Sequence, residues 1–177
     1  MILNHQLVQG STGTAGEFGH AAIIQDGLEC SCGNRGCWEM YASNSAAIRN
    51  YTNAIAPARR SKRQPEIIET SITFDHLLRL ADQGDTRAVG ALEEMAKYLG
   101  RGIAPLVAGL APDMIVIVGE VTRAWQQVGP IIKETVRQHS FTRAETQIVP
   151  SDPITQPRLR GTIALVLLKH FGAPAVA

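Results

Sequence analysis

The chain has 177 residues, of which 45% are hydrophobic and 19% charged, with a formal net charge of +1. That length buries a full core in one domain, and the near-neutral balance removes the general electrostatic case for nucleic acid or a membrane surface. No stretch approaches the roughly 20 apolar residues of a membrane-spanning helix, and residues 1–10 lack the basic region and long apolar segment of a secretory signal.

In chain order, residues 1–8 set Ile2, Leu3, Leu7 and Val8 around Asn4, His5 and Gln6, the pattern of strand, tight turn and strand. His5 falls in that turn and is expected to face solvent. So little chain precedes the hairpin that a neighbouring strand is expected to be missing from this sequence. Residues 10–16 are rich in glycine and hydroxyls but lack the Gly-Lys-Ser/Thr ending and helix start of a phosphate loop. A flexible loop that carries Glu17 and His20 towards a ligand is expected instead. Residues 21–25 suggest a short buried strand, turned by Asp26-Gly27 into the next segment.

Cys30, Cys32 and Cys37 are the chain's 3 cysteines. Three thiols cannot all pair within one chain, so a metal is a simpler explanation than a disulfide framework. Gly33 and Gly36 fit a loop that must aim three sulfurs at one point, because glycine accepts positive φ and close backbone approach. With His20 upstream, the four form a Cys3His set, a common structural zinc site, in a zinc loop over residues 20–37. Reduced thiols point to the cytoplasm.

Glu17-x-Gly19-His20 followed by Cys30-x-Cys32-Gly33-x-x-Gly36-Cys37-x-Glu39 resembles the zinc-loop motif of the ROK family, the repressor, open-reading-frame and sugar-kinase proteins. The resemblance covers essentially the whole chain but not the family's first half. It implies that Glu17, His20 and Glu39 contact a sugar: one imidazole nitrogen takes zinc, the other a hydroxyl, and the two carboxylates accept charge-assisted hydrogen bonds. It also implies the C-terminal lobe of an actin-like ATPase, ribonuclease-H-like fold, in which this lobe commonly self-associates as a homodimer.

Beyond the motif, residues 38–42 start a helix that residues 43–51 continue or restart. The run 57–65 holds four cations in five positions and is expected to be a solvated loop. Residues 73–83 predict a short helix with Asp75 near its start, and Gly84-Asp85 a stop followed by a cap. From 86 to 110, Val89, Leu92, Met95, Leu99, Ile103, Leu106 and Leu110 recur every three or four residues, which predicts one long amphipathic helix. Gly90, Gly100 and Gly102 suggest close approach of a neighbouring backbone, and Pro105 a kink. Together these make a helical excursion over about residues 43–111.

Residues 114–118, Met-Ile-Val-Ile-Val, form a continuous apolar run expected to be a strand buried on both faces. Gly119 leaves its carboxyl end, where ligands bind in open α/β sheets. The resemblance makes this the nucleotide side, where the ROK kinases carry a run of glycines. Glu120 and Val121 interrupt that run here, and a carboxylate facing the site repels a triphosphate. A helix over 124–138, a strand over 146–149 and a terminal helix over 159–171 follow, the last with Leu159, Ile163, Val166, Leu167 and His170 on its inner stripe. Residues 1–177 are thus expected to be one α/β lobe, a mixed sheet flanked by helices.

Two function classes fit. A sugar kinase needs a phosphate cradle, a magnesium site and a group that deprotonates the acceptor hydroxyl. The resemblance places these in the family's first half, so no catalytic residue is expected in this chain and phosphoryl transfer with ATP and magnesium belongs only to a kinase parent. The other class is the sugar-sensing lobe of a transcriptional regulator, touching DNA only through an upstream domain. The altered glycine run favours the regulator. A lobe that only folds and dimerises is the third possibility.

Overall fold

The computed structural model describes residues 2–3, 6–55, 72–140, 146–152, 154 and 156–171. Two strands, β1 (Ile2–Leu3) and β2 (Gln6–Leu7), pair antiparallel with Ile2 opposite Leu7. Helices α1 (Glu39–Ala42), α2 (Asn44–Ile55), α3 (Phe74–Asp82) and α4 (Thr86–Leu110) follow. The chain then runs through β3 (Met114–Ile117), α5 (Trp125–His139), β4 (Gln147–Pro150) and α6 (Pro157–Phe171). His5 and the basic run 57–65 lie outside the described residues.

The spine is α4, which contacts α1, α2, α3 and α5. Its start is fixed by Asp85, whose carboxylate accepts from the amides of Arg87 and Ala88 and satisfies donors that a helix N-terminus leaves open. Its end is fixed by Ala111, which turns left-handed at φ 43°. The stripe predicted from the spacing is buried at its centre, where Leu92 and Met95 are fully buried and Ile103 joins the same core, while its last member, Leu110, is half exposed and Val107 takes the inner position instead. Of the three helix glycines only Gly100 marks backbone approach as expected, whereas Gly102 faces the Trp38 side chain. A Cβ on Gly100 would stand 2.6 Å from Thr135 Cβ and 2.9 Å from the Ile132 carbonyl of α5. Gly90 does not, since nothing lies within 4 Å of its would-be Cβ.

Helix α3 begins within one residue of its expected start, with Thr73 as its cap, the side chain accepting from His76 N at 3.1 Å. Between α1 and α2 the chain restarts rather than continues: Ser43 is extended, and its hydroxyl accepts from Ala46 N at 3.2 Å.

Four expectations need correction. The strands do not form one mixed sheet; among the described residues they make two separate pairs, β1–β2 antiparallel and β3–β4 parallel. Residues 21–25 are not a strand beyond one bridge between Ala22 and Cys37. The amides of Ile23 and Ile24 both point at the Gly36 carbonyl, at 2.9 and 3.3 Å, so the segment curls around Gly36 instead of extending. β3 is buried on one face only, Ile117 lying in the core while Met114 and Val116 are half exposed. The predicted inner stripe of α6 is exposed as well, because α6 packs extensively on no other described element. What remains is a mixed α/β, helix-rich lobe whose core sits between α4, α3 and α5 and the inner face of β3 and β4. Among the described residues no helix is long and apolar enough to cross a membrane.

Candidate metal centre and its rim

The site is built from turns. Gly16, at φ 102°, lets the chain enter a single 3-10 turn over Phe18–His20, closed by His20 N on the Glu17 carbonyl at 3.1 Å. Glu17 and His20 thereby sit one turn apart. The cysteines come from a tight loop, in which Cys30 N bonds the Asn34 carbonyl at 2.9 Å and Gly36 N the Leu28 carbonyl at 2.7 Å. Only glycine fits at 36: its φ is 80°, and a Cβ would meet the Ile24 carbonyl oxygen at 1.7 Å.

These turns bring one ligand atom each of His20, Cys30, Cys32 and Cys37 within 4.8 Å of one another. The Sγ atoms of Cys32 and Cys37 are 3.6 Å apart, as are Cys30 Sγ and His20 Nδ1. A tetrahedral zinc with Zn–S about 2.3 Å and Zn–N about 2.0 Å has edges of about 3.8 Å between sulfurs and about 3.5 Å between sulfur and nitrogen. The donor set and these separations fit zinc, and all three cysteines are free of disulfides.

The thiols are not equivalent. Cys30 and Cys37 are buried and Cys32 is exposed. Burial, with neighbouring thiols adding to it, pushes Cys37 up to about 12. A hydrogen bond from the Asn34 backbone holds Cys32 below the ordinary thiol range. His20 is raised, chiefly by its hydrogen bond with Cys30, with the Glu39 and Glu17 carboxylates adding to the shift.

Glu39 closes the group. Its Oε1 accepts from Cys30 Sγ at 3.1 Å and lies 3.4 Å from His20 Nδ1. Gly19 packs against it, a Cβ there standing in ordinary contact at 3.5 Å from Glu39 Cβ. With Nδ1 turned to the cluster, His20 Nε2 is left for an outside partner. Glu17 is exposed beside it. Five of the seven residues singled out in the sequence thus come together, Glu17 lies one 3-10 turn from His20, and Gly119 belongs to a separate turn after β3.

Two residues that hold this arrangement have no obvious sequence signature. Trp38, between Cys37 and Glu39, donates from Nε1 to the Tyr98 carbonyl at 2.8 Å and fills the notch left by Gly102, where a Cβ would lie 1.9 Å from the indole. Tyr41 accepts at its hydroxyl from Leu28 N at 2.7 Å, tying α1 to the cysteine loop. Gly102, a glycine on an otherwise bulky stripe, was the one hint of the first.

Gly119, two residues beyond β3, has φ 124° and opens a 3-10 turn over Glu120–Ala124. It borders a cavity of about 400 Å³ lined also by Glu120, Thr122, Arg123 and Ser151. Arg123 donates to Asp75 of α3 at 2.6 Å, and Glu120 accepts from Asn44 Nδ2 at 2.6 Å.

Residues 1–168 match the profile described as the ROK family. The chain is 28% identical over 148 residues to the xylose repressor of Bacillus spizizenii, covering 84% of this chain and 34% of that protein. To the glucokinase of Streptomyces coelicolor it is 32% identical over 143 residues, covering 78% and 44%. The crystal structure of a ROK family glucokinase from Streptomyces griseus with glucose and AMPPNP superposes with a TM-score of 0.69 at 29% identity, over 84% of this chain and 50% of that one. The chain therefore spans between a third and a half of the length of these relatives. From the motif, the fold and the match over residues 1–168, the chain belongs to the ROK family.

Proposed function

We propose that this chain is a zinc-braced carbohydrate-binding lobe, the sugar-sensing effector part of a ROK transcriptional regulator. The observation that carries the proposal is the convergence of His20, Cys30, Cys32 and Cys37 on one point, with Glu39 against it and Glu17 one turn away. When bound, zinc cross-links the cysteine loop to the 3-10 turn and fixes the imidazole tautomer. His20 then presents an Nε2–H donor, and Glu17 and Glu39 add carboxylate acceptors, a combination suited to neighbouring sugar hydroxyls. The relatives support a sugar as ligand: one is a xylose repressor, and the Streptomyces griseus structure holds glucose.

The regulator is favoured by Glu120, whose carboxylate borders the cavity beside Gly119 and opposes a triphosphate there. DNA contact belongs to a further domain, and no catalytic residue is assigned to this chain. The second reading, the C-terminal half of an ATP-dependent sugar kinase using ATP and magnesium, is favoured by the 32% identity to a glucokinase. Calorimetric titration of the zinc-loaded protein with glucose, xylose and N-acetylglucosamine tests the rim. Binding that weakens at least about tenfold in Glu17→Ala is expected, a loss of about 1.4 kcal/mol. Binding unchanged by that substitution refutes the assignment, and tight ATP binding to the same protein overturns the preference for a regulator.

A further inference from the structure

We infer that α1 is a relay that carries occupancy of the sugar rim to the carboxyl end of β3, with Trp38 as its fixed end and the Asn44–Glu120 hydrogen bond as its far contact. The inference rests on the sugar rim proposed above.

Four contacts converge on this one-turn helix and its two flanks. Glu39, its first residue, belongs to the rim. Tyr41 accepts from Leu28 N in the cysteine loop. Trp38, immediately before it, is anchored to α4 by its bond to the Tyr98 carbonyl and by its seat against Gly102, where a Cβ would lie 1.9 Å from the indole. Asn44, just beyond it, reaches the Glu120 carboxylate, 76 residues further along the chain.

The turn over Glu120–Ala124 is held from two sides, by Asn44 at its first residue and by Asp75 on Arg123. Asp75 also pairs with Arg79 on its own helix, so the α3 side is a network and the Asn44 side a single bond. A single exposed hydrogen bond is the weaker restraint, and it is the one attached to the rim.

A hydroxyl ligand that recruits the Glu39 carboxylate orders its side chain and, with it, the first turn of α1, whose Ser43 amide bonds the Glu39 carbonyl at 3.2 Å. Because Trp38 is anchored to α4, the added order is passed forward through the extended Ser43 to Asn44. There it strengthens the bond to Glu120 and stiffens the rim of the cavity beside Gly119. Coupling of this kind is reciprocal, so releasing Glu120 must loosen α1 as well.

Hydrogen exchange read by mass spectrometry on the full, zinc-loaded chain tests this with D-glucose and D-xylose as probes. In the unsubstituted protein a bound sugar is expected to slow exchange over residues 119–124 about fivefold. In Asn44→Ala the sugar still binds with similar affinity, but that response disappears. Without any sugar, Glu120→Ala is expected to speed exchange over residues 39–44. The relay is overturned if residues 119–124 do not respond in a protein that binds sugar, or respond equally in Asn44→Ala. It is also overturned if Glu120→Ala leaves 39–44 unchanged. A chain that binds neither sugar refutes the rim itself, and the sugar-free comparison then still decides whether Glu120 restrains α1.

Discussion

Replacing Gly102 with alanine isolates the fit between α4 and the residue that links the metal loop to the rim. In an open helix position the change stabilises, by about 1 kcal/mol of helix propensity. At Gly102 the new methyl carbon would lie 1.9 Å from the Trp38 indole, and the indole is pinned by its bond to the Tyr98 carbonyl. Overpacking of this kind costs about 1–3 kcal/mol. If the indole is expelled instead, its hydrogen bond, about 1 kcal/mol, is lost along with much of its burial. A net loss of about 2 kcal/mol is therefore expected. Gly90→Ala, on the same helix with nothing within 4 Å, is the control and should gain up to about 1 kcal/mol. Urea denaturation of the two variants beside the unsubstituted chain measures the difference. Equal stability of Gly102→Ala and Gly90→Ala would refute the packing argument, and with it the role given to Trp38.

Metal analysis of purified protein is expected to find about one zinc per chain, lost in Cys37→Ser; a folded protein with no zinc and three freely titrating thiols would sink the site. Chelation should open residues 17–42 to proteases before the α4 core, because the core does not depend on the metal for its burial. Thr73→Ala removes the cap of α3 and should cost about 1 kcal/mol in thermal or urea unfolding. Glu134 is held down to about 2, first by Arg137 and then by Gln138. Its folded value lies below the ordinary carboxylate value, so its contribution is present above that value and lost as pH falls through about 2. Acid unfolding of Glu134→Gln should accordingly differ from the unsubstituted chain at pH 5 and converge with it near pH 2.

The sequence announced elements whose signals are local. Helix α4 follows from its apolar spacing and the Asp85 cap, and α3 from Asp75 near its start and the Gly84-Asp85 stop. The metal cluster was legible because three cysteines and two glycines in a short loop leave few other uses for those side chains. Elements defined by what lies on the far side of them were not legible. An apolar run says that a strand such as β3 can be buried, yet whether both faces are covered depends on partners elsewhere. Residues 21–25 failed for a related reason: their apolar pattern suits a strand, but a single acceptor, the Gly36 carbonyl, captures two consecutive amides. The Asn44–Glu120 contact spans 76 residues, and no spacing argument reaches that far.

The outward side of β3 and the whole of α6 leave Met114, Val116, Leu159, Ile163 and Val166 about half in water. Side chains of this kind favour leaving water by about 25 cal/mol for each Å² they cover. Sulfate and other structure-making salts sharpen that tendency, while moderate urea blunts it. Handled by itself, this polypeptide is consequently prone to salting out, and its shelf life in solution is governed more by that bare apolar seam than by the firmness of its interior.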